Sequence, residues 1–383
     1  MTFSGNPFEP QRRRGAENTL TNLPISILVG PDSSGHGGLK LAPQMFFLRA
    51  SAPLRFKFVW PMLRRLLVLA FLASAAQPAQ AFDFSFALFG DTPYSSSERE
   101  RLPGMIEAMA RDGNEFAVHD GDIKDGISSC HDALYDDILG IFQASKIPLI
   151  YLPGDNEWTD CGRILAGFYD PMERLQHLRK VFFSDSQTLG KKRFILERQG
   201  DVDQQFSEYR ENVRWRRGRV LFVGLNVPGS SNNFGDGDRP SPEFVARAKA
   251  NRAWLDDSFG LAQRNRDTVV FVMMQADPDF EAFKARRQNL GYGDFLRQLQ
   301  DLTLAFPGQV VLVHGDTHTQ QINQPLRHPR TGAVLKNFVR LETYGSPYMG
   351  WTKVTVRNAD SAPTLQFAPH PWYGGIEHPP LMR

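Results

Sequence analysis

Apolar runs of five or six residues recur along this 383-residue chain, and four of them end in the same way. FALFGD closes on Asp91, FAVHDGD on Asp122, IYLPGD on Asp155 and VVLVHGD on Asp316. Each run is rich in Phe, Val, Ile and Leu, as expected of strands buried on both faces in a parallel sheet. Between them the apolar period changes from continuous to helical. LPGMIEAMARDG sets Leu102, Met105, Ile106 and Met109 on one face, and ALYDDILGIFQASKIPLIYLPGD, FVARAKANRAWLDDSF and DFLRQLQDLTLAF repeat the helix pattern next to strands. RVLFVGLNV and DTVVFVMMQAD read as further strands, and FVRLETYG and WTKVTVRN as late strands closing a second sheet. This alternation predicts an α/β protein. PMERLQHLRKVFF places Leu175, Leu178, Val181 and Phe182 at helical spacing, which predicts core packing. NVPGSSNNFGDGDRP is polar and turn-rich, and suits either a gating lid or a surface excursion.

The strand ends carry the chemistry. Ligands bind at the C-terminal edges of parallel strands, and this edge would gather Asp91, Asp122, Asp155 and Asp316 with His314 and His318. Four carboxylates cannot be desolvated together without a compensating cation, so the pattern predicts a bound metal.

At these residues the chain resembles the calcineurin-like metallophosphoesterases, whose motifs run D-x-H, GD-x-x-D, GNH(D/E), a lone His, and GH-x-H. The order holds from Asp91 to His318, but several residue types differ. Asp91 matches the first Asp, while the family's His falls on Pro93. Gly121-Asp122-Ile123-Lys124-Asp125 keeps the bridging carboxylate, Asp122. In Gly154-Asp155-Asn156-Glu157, Asp155 replaces the family's Asn and Asn156 replaces its acid/base His. The lone His maps to Gln275, and Gly315-Asp316-Thr317-His318 keeps the second His of the last motif.

The resemblance implies a four-layer αββα fold, a two-sheet β-sandwich core flanked by helices, over residues 82–383. It also implies one metal site made by Asp91, Asp122 and His318 and another by Asp122, Asp155, Gln275 and Asp316. Oxygen donors dominate, which favours Mn, Mg or Ca over Fe or Zn, as one ion or two. The implied activity is hydrolysis of a small phosphate ester by a metal-activated water. With Asn156 unable to move a proton, His119 and His314 are the nearby substitutes as acid or base; each could equally be structural, since each precedes a motif glycine at a strand end. The alternatives are a catalytically impaired relative that binds metal or a phosphate compound, and an envelope interaction protein using the fold as a scaffold.

The amino terminus has its own pattern. From Met62, Arg64 and Arg65, the apolar run LLVLAFLASAA and Ala79-Gln80-Ala81 form a secretory signal over residues 62–81, with the mature chain starting at Phe82 in the periplasm or outside the cell. Residues 1–61 show neither period and read as a non-native or disordered extension; a signal anchor with a basic tail is the alternative. The apolar run is too short for a stable membrane span. Residues 1–81 carry nine of the 44 basic and three of the 42 acidic side chains, so the remainder has a net charge of about −4. That removes any electrostatic case for nucleic-acid binding. RENVRWRRGR is locally basic, as a solvated hairpin or a collar attracting phosphate. The two cysteines, Cys130 and Cys161, each follow a motif loop and predict a disulfide in an exported protein rather than a two-thiol metal site.

Overall fold

The computed structural model describes residues 82–374; the readings for residues 1–81 lie outside the described residues. In chain order the elements begin with β1 (Phe84–Phe89), α1 (Ser96–Arg111), β2 (Phe116–His119), α2 (Asp132–Gln143), β3 (Leu149–Tyr151) and α3 (Pro171–Phe182). They continue with β4 (Glu197–Arg198), β5 (Val213–Arg217), β6 (Val220–Gly224), α4 (Pro242–Asn265), β7 (Val269–Met273), α5 (Phe280–Lys284) and α6 (Gly293–Ala305). β8 (Gln309–His314), β9 (Gln321–Asn323), β10 (Phe338–Glu342), β11 (Gly350–Arg357) and β12 (Thr364–Pro371) complete the chain.

Two mixed sheets result, one in the order β12-β11-β1-β2-β3 and one in the order β4-β5-β6-β7-β8-β10-β9. Their facing sides meet in an aromatic core. The rings of Phe86 and Phe116 stack at 4.9 Å, those of Phe222 and Phe271 at 5.1 Å, and Phe86 meets Phe222 edge-on at 5.2 Å across the interface. Aromatic pairs of this kind contribute ~1 kcal/mol beyond burial. On the outer face of the first sheet lie Met105, Met109, Ile138, Phe142, Leu175 and Leu178 from α1, α2 and α3. On the outer face of the second, Trp254, Phe259, Leu296 and Leu299 from α4 and α6 pack onto Val270, Val272 and Leu312. The layers are therefore helix, sheet, sheet, helix, as expected. No helix among the described residues is long and apolar enough to cross a membrane.

One expectation needs correction. FVRLETYG and WTKVTVRN do not close one second sheet: β10 pairs in parallel with β8, while β11 pairs antiparallel with β1 in the other sheet. The chain crosses between the sheets at residues 343–349, a change that no strand pattern records. RENVRWRRGR forms the β5–β6 hairpin, the first of the two readings open to it. Arg210 pairs with Asp201, Arg214 with Glu197 and Asp257, Arg216 with Asp267 and Arg217 with Glu115, so four of its five arginines already face a carboxylate, and Arg219 donates to backbone carbonyls.

Candidate metal centre

The four Gly-Asp turns lie at the C-terminal ends of β1, β2, β3 and β8, and their glycines explain the repeated motif. A Cβ on Gly154 would lie 2.0 Å from Asp122 Oδ1, and one on Gly315 would lie 2.0 Å from Asp91 Oδ2. Each glycine thus makes room for the carboxylate of another motif. Asp91, Asp122, Asp316 and His318 all have positive φ, between 46° and 79°. Non-glycine residues seldom hold that conformation, and it clusters where packing enforces strained backbone at functional sites.

Asp122 is the most constrained of the acids. Its Oδ1 accepts the Asn156 backbone N–H at 3.1 Å, and its Oδ2 accepts the Tyr94 hydroxyl at 2.7 Å and the Asn156 side-chain amide at 2.6 Å. Glu157 Oε1 holds the turn beneath it, accepting the backbone N–H groups of Asp122 at 3.1 Å and Gly154 at 2.7 Å and the Tyr151 hydroxyl at 2.6 Å. Asp91 Oδ2 accepts the Asp316 N–H at 3.0 Å; its buried Oδ1 has no hydrogen-bond partner and lies 3.8 Å from His318 Nε2. Asp155 Oδ2 lies 2.6 Å from the Ser230 hydroxyl, which also stands 2.8 Å from Asp160 Oδ1. Arg163 closes this side, pairing with Asp160 at 2.7 Å and donating to Ser230 Oγ at 3.2 Å.

Burial and mutual repulsion raise most of these acids. Desolvation, then the charges of Asp120 and Asp316, push Asp91 well above the ordinary carboxylate range, and desolvation with Asp155 and Glu157 does the same to Asp122. Asp316 is pushed up to about 7 by burial and then by Asp155, and Asp160 to about 6 by the same two causes. Lys124 is the buried cation among them, its Nζ donating to the Asp125 carbonyl at 2.7 Å. One ammonium and the half-exposed Arg163 guanidinium do not balance Asp91, Asp120, Asp122, Asp155, Glu157, Asp160 and Asp316.

The unpartnered Asp91 Oδ1 and the oxygen-rich donor set fit a hard divalent cation. Among the described residues, no three His, Cys, Asp or Glu donors stand in a ready-made metal-binding group. Asp122 is turned onto Tyr94 and Asn156, so a cation would have to draw its carboxylate away from those donors.

The raised values predict a pH dependence. An acid whose folded pKa exceeds its unfolded value of ~4 keeps a proton that the unfolded chain has released; its stabilisation is full below ~4 and is lost as pH rises through the folded pKa. The chelated protein should therefore melt at progressively lower temperature from pH 5 to pH 8, the window set by Asp160 and Asp316. Manganese should flatten the profile by replacing the protons. A melting temperature of the chelated protein that rises over this window would show that the cluster titrates like exposed acids.

The remaining residues singled out from the sequence are placed as follows. His119 is fully buried: Nε2 donates to the Thr92 carbonyl at 2.9 Å and Nδ1 accepts the Gly121 N–H at 3.2 Å, leaving neither nitrogen for substrate. Burial lowers its pKa to about 4 and that of His314 to about 3. His314 Nδ1 faces the Gly315 carbonyl at 2.8 Å, and its Nε2 is buried without a partner. Both imidazoles are thus enclosed in the fold, against the expectation that either serves as acid or base. Gln275 reaches the cluster, but its Oε1 already accepts the Gly229 N–H at 2.6 Å, leaving one lone pair for a cation. The turn-rich loop after β6 lies against the site through Gly229 and Ser230, while residues 235–240 are exposed. Tyr94, Asp120, Lys124, Asp160 and Ser230 are residues near the cluster that the motifs did not mark, and Glu157, the last residue of the third motif, was not singled out for a role. Cys130 and Cys161 are joined in a disulfide, tying the Asp122 loop to the turn after Asn156.

No family model matches the sequence, and no curated protein matches it. Among solved structures the chain is similar to a dimetal phosphatase from Danio rerio, at 12% identity and a TM-score of 0.44, over 75% of this chain and 99% of that one. It is also similar to PhoD, at 12% identity and TM-score 0.46 over 76% and 69%, and to the purple acid phosphatase PPD1 from yellow lupin (Lupinus luteus) seeds, at 11% and 0.46 over 76% and 52%. Those likenesses are distant. Two mixed sheets face to face, helices on both outer sides and Gly-Asp turns gathered at one strand edge make up the four-layer αββα fold expected from the motifs, with residues that differ from the expected types at several motif positions.

Proposed function

We propose that residues 82–383 form an exported, metal-dependent phosphoesterase acting on small phosphate esters. The observation that carries this reading is the convergence of Asp91, Asp122, Asp155 and Asp316 at one edge with too little positive charge to balance them. Asp91, Asp122 and His318 would hold one divalent cation, and Asp122, Asp155, Asp316 and Gln275 a second; Mn, Mg or Ca suits the oxygen donors. When bound, the cation supplies Lewis-acid charge and a nucleophile at neutral pH. The chain's own residues do the rest. Asp122 holds its orientation through Tyr94 and Asn156. Burial and the Asp122 charge push the Tyr94 hydroxyl far above the ordinary phenol range, so it donates a hydrogen bond and keeps its proton. Arg163 stands over the Asp155 side, where a phosphate oxygen could replace Asp160 as its partner. His318, about a quarter exposed, is the imidazole of the cluster with access to solvent and is left to handle the leaving group's proton whenever it is not bound to metal.

Turnover of p-nitrophenyl phosphate by the mature chain with manganese, its loss after chelation and its recovery on adding metal back are the expected results. Stoichiometric metal uptake without turnover would instead support a catalytically impaired binding protein, a reading favoured by Pro93 and Asn156 standing where the family has histidines. Export to the periplasm or the exterior is supported by the disulfide and by the leader pattern before Phe82.

A further inference from the structure

Away from the metal centre, a cavity of about 710 Å³ opens between α5, the segment that follows it, the start of α6 and the turn at residues 325–332. Its walls carry Lys284, Arg286, Arg287, Arg297, Arg327 and Arg330, and no acidic side chain lines it. Lys284 pairs with Glu281 at 3.0 Å, and Arg297 pairs with Asp294. Arg286, Arg287, Arg327 and Arg330 make no side-chain hydrogen bond or ion pair among the described residues. The contrast with the β5–β6 hairpin is direct, since Arg214, Arg216 and Arg217 there each have a carboxylate within reach.

The cavity is also built in advance. The Gln300 side chain donates to the Arg327 carbonyl at 2.7 Å, fixing the 325–332 turn to α6, and the His328 N–H to Ala333 carbonyl bond at 2.7 Å closes the turn. On the other wall, Asn289 Nδ2 donates to the Pro278 carbonyl at 2.8 Å. Converging like charges raise one another's energy until an anion enters, and a preformed pocket gives up little entropy on binding. Guanidinium forks match phosphate oxygens in pairs, and the volume lies within the range of small-ligand sites.

We propose that this cavity is a second binding site, for a ligand bearing two or more phosphate groups, either a free polyphosphorylated compound or the headgroups of an anionic lipid. Neither metal nor the phosphoesterase activity is needed for it.

Titration of the mature chain with tripolyphosphate in excess chelator keeps the metal centre out of the measurement. Saturable binding is expected, weakening steeply between 50 and 200 mM salt, as contacts between exposed charges are screened. The double substitution Arg287→Ala and Arg330→Ala should weaken it at least ~10-fold through two lost charge-assisted contacts, with turnover of p-nitrophenyl phosphate unchanged. Co-sedimentation with phosphatidylglycerol vesicles but not phosphatidylcholine vesicles, lost in the same variant, would place the phosphates on a lipid; binding of tripolyphosphate alone would place them on a soluble ligand. If neither probe binds, or if the double variant binds as the parent does, the proposal is overturned.

Discussion

Asp122→Asn should remove metal-dependent turnover, by at least ~100-fold, while leaving the melting transition of the metal-free protein in place. Asp122 is the carboxylate shared between both proposed donor sets, and loss of a residue that both holds a cation and orients the attacking group is felt in the transition state rather than in substrate binding alone. The isosteric amide can offer its oxygen either to the Asn156 backbone N–H or to the Tyr94 hydroxyl and the Asn156 side-chain amide, and its NH2 then faces the donors left over. Local rearrangement is therefore expected, and unfolding is not. Metal content measured beside turnover separates the two parts of the effect. Asn156→Ala should cost less, because Asn156 only orients Asp122 and Tyr94. Asn156→His would restore a proton donor at that position, with a gain of up to ~100-fold confined to substrates whose leaving groups need protonation. Wild-type turnover and metal content in the Asp122→Asn protein would move the active site elsewhere.

Replacing the linked pair, Cys130→Ala with Cys161→Ala, should lower stability by ~3 to 4 kcal/mol. That is the chain-entropy value for a loop closed over 31 residues of separation. Both sulfurs are buried in the core between α2 and the turn after Asn156, so the substitution also leaves small voids. The parent protein, with both cysteines in place, tests export. Protein recovered from the envelope or medium should begin at Phe82 and show no alkylatable thiol after denaturation. Two reactive thiols in such material, or a chain retaining Met1, would contradict the exported reading. Chemical denaturation of the parent with and without reductant gives the stability difference independently.

Much of this was legible in the sequence because buried strands leave a continuous apolar signature and the turns that follow them need glycine. The Gly-Asp runs located the strand ends, the four-residue spacing in α1 located a core face, and two cysteines allowed one pairing. What stayed hidden depends on contacts between distant segments. Ser230 reaches Asp155 from 75 positions away through a loop whose composition reads only as polar. Glu157 closes the third motif, and its role shows only when its three donors are seen. Asp120 had a visible signal: two carboxylates separated by one residue in His119-Asp120-Gly121-Asp122 both point toward the strand end, and only one was singled out. The histidines misled for the opposite reason. A residue at a strand terminus can turn inward or toward the site, and the period of two does not say which when both faces of the sheet are covered.

The left-handed backbone at Asp91, Asp122, Asp316 and His318 also bears on how the protein would respond to selection. An L-residue there costs roughly 1 kcal/mol or more relative to glycine, which adopts that conformation freely. A laboratory screen for heat resistance alone would thus press toward glycine at these four positions, at the expense of the proposed metal ligands. Libraries built to stabilise this chain should hold those four codons fixed and draw their gains from helix ends and exposed loops.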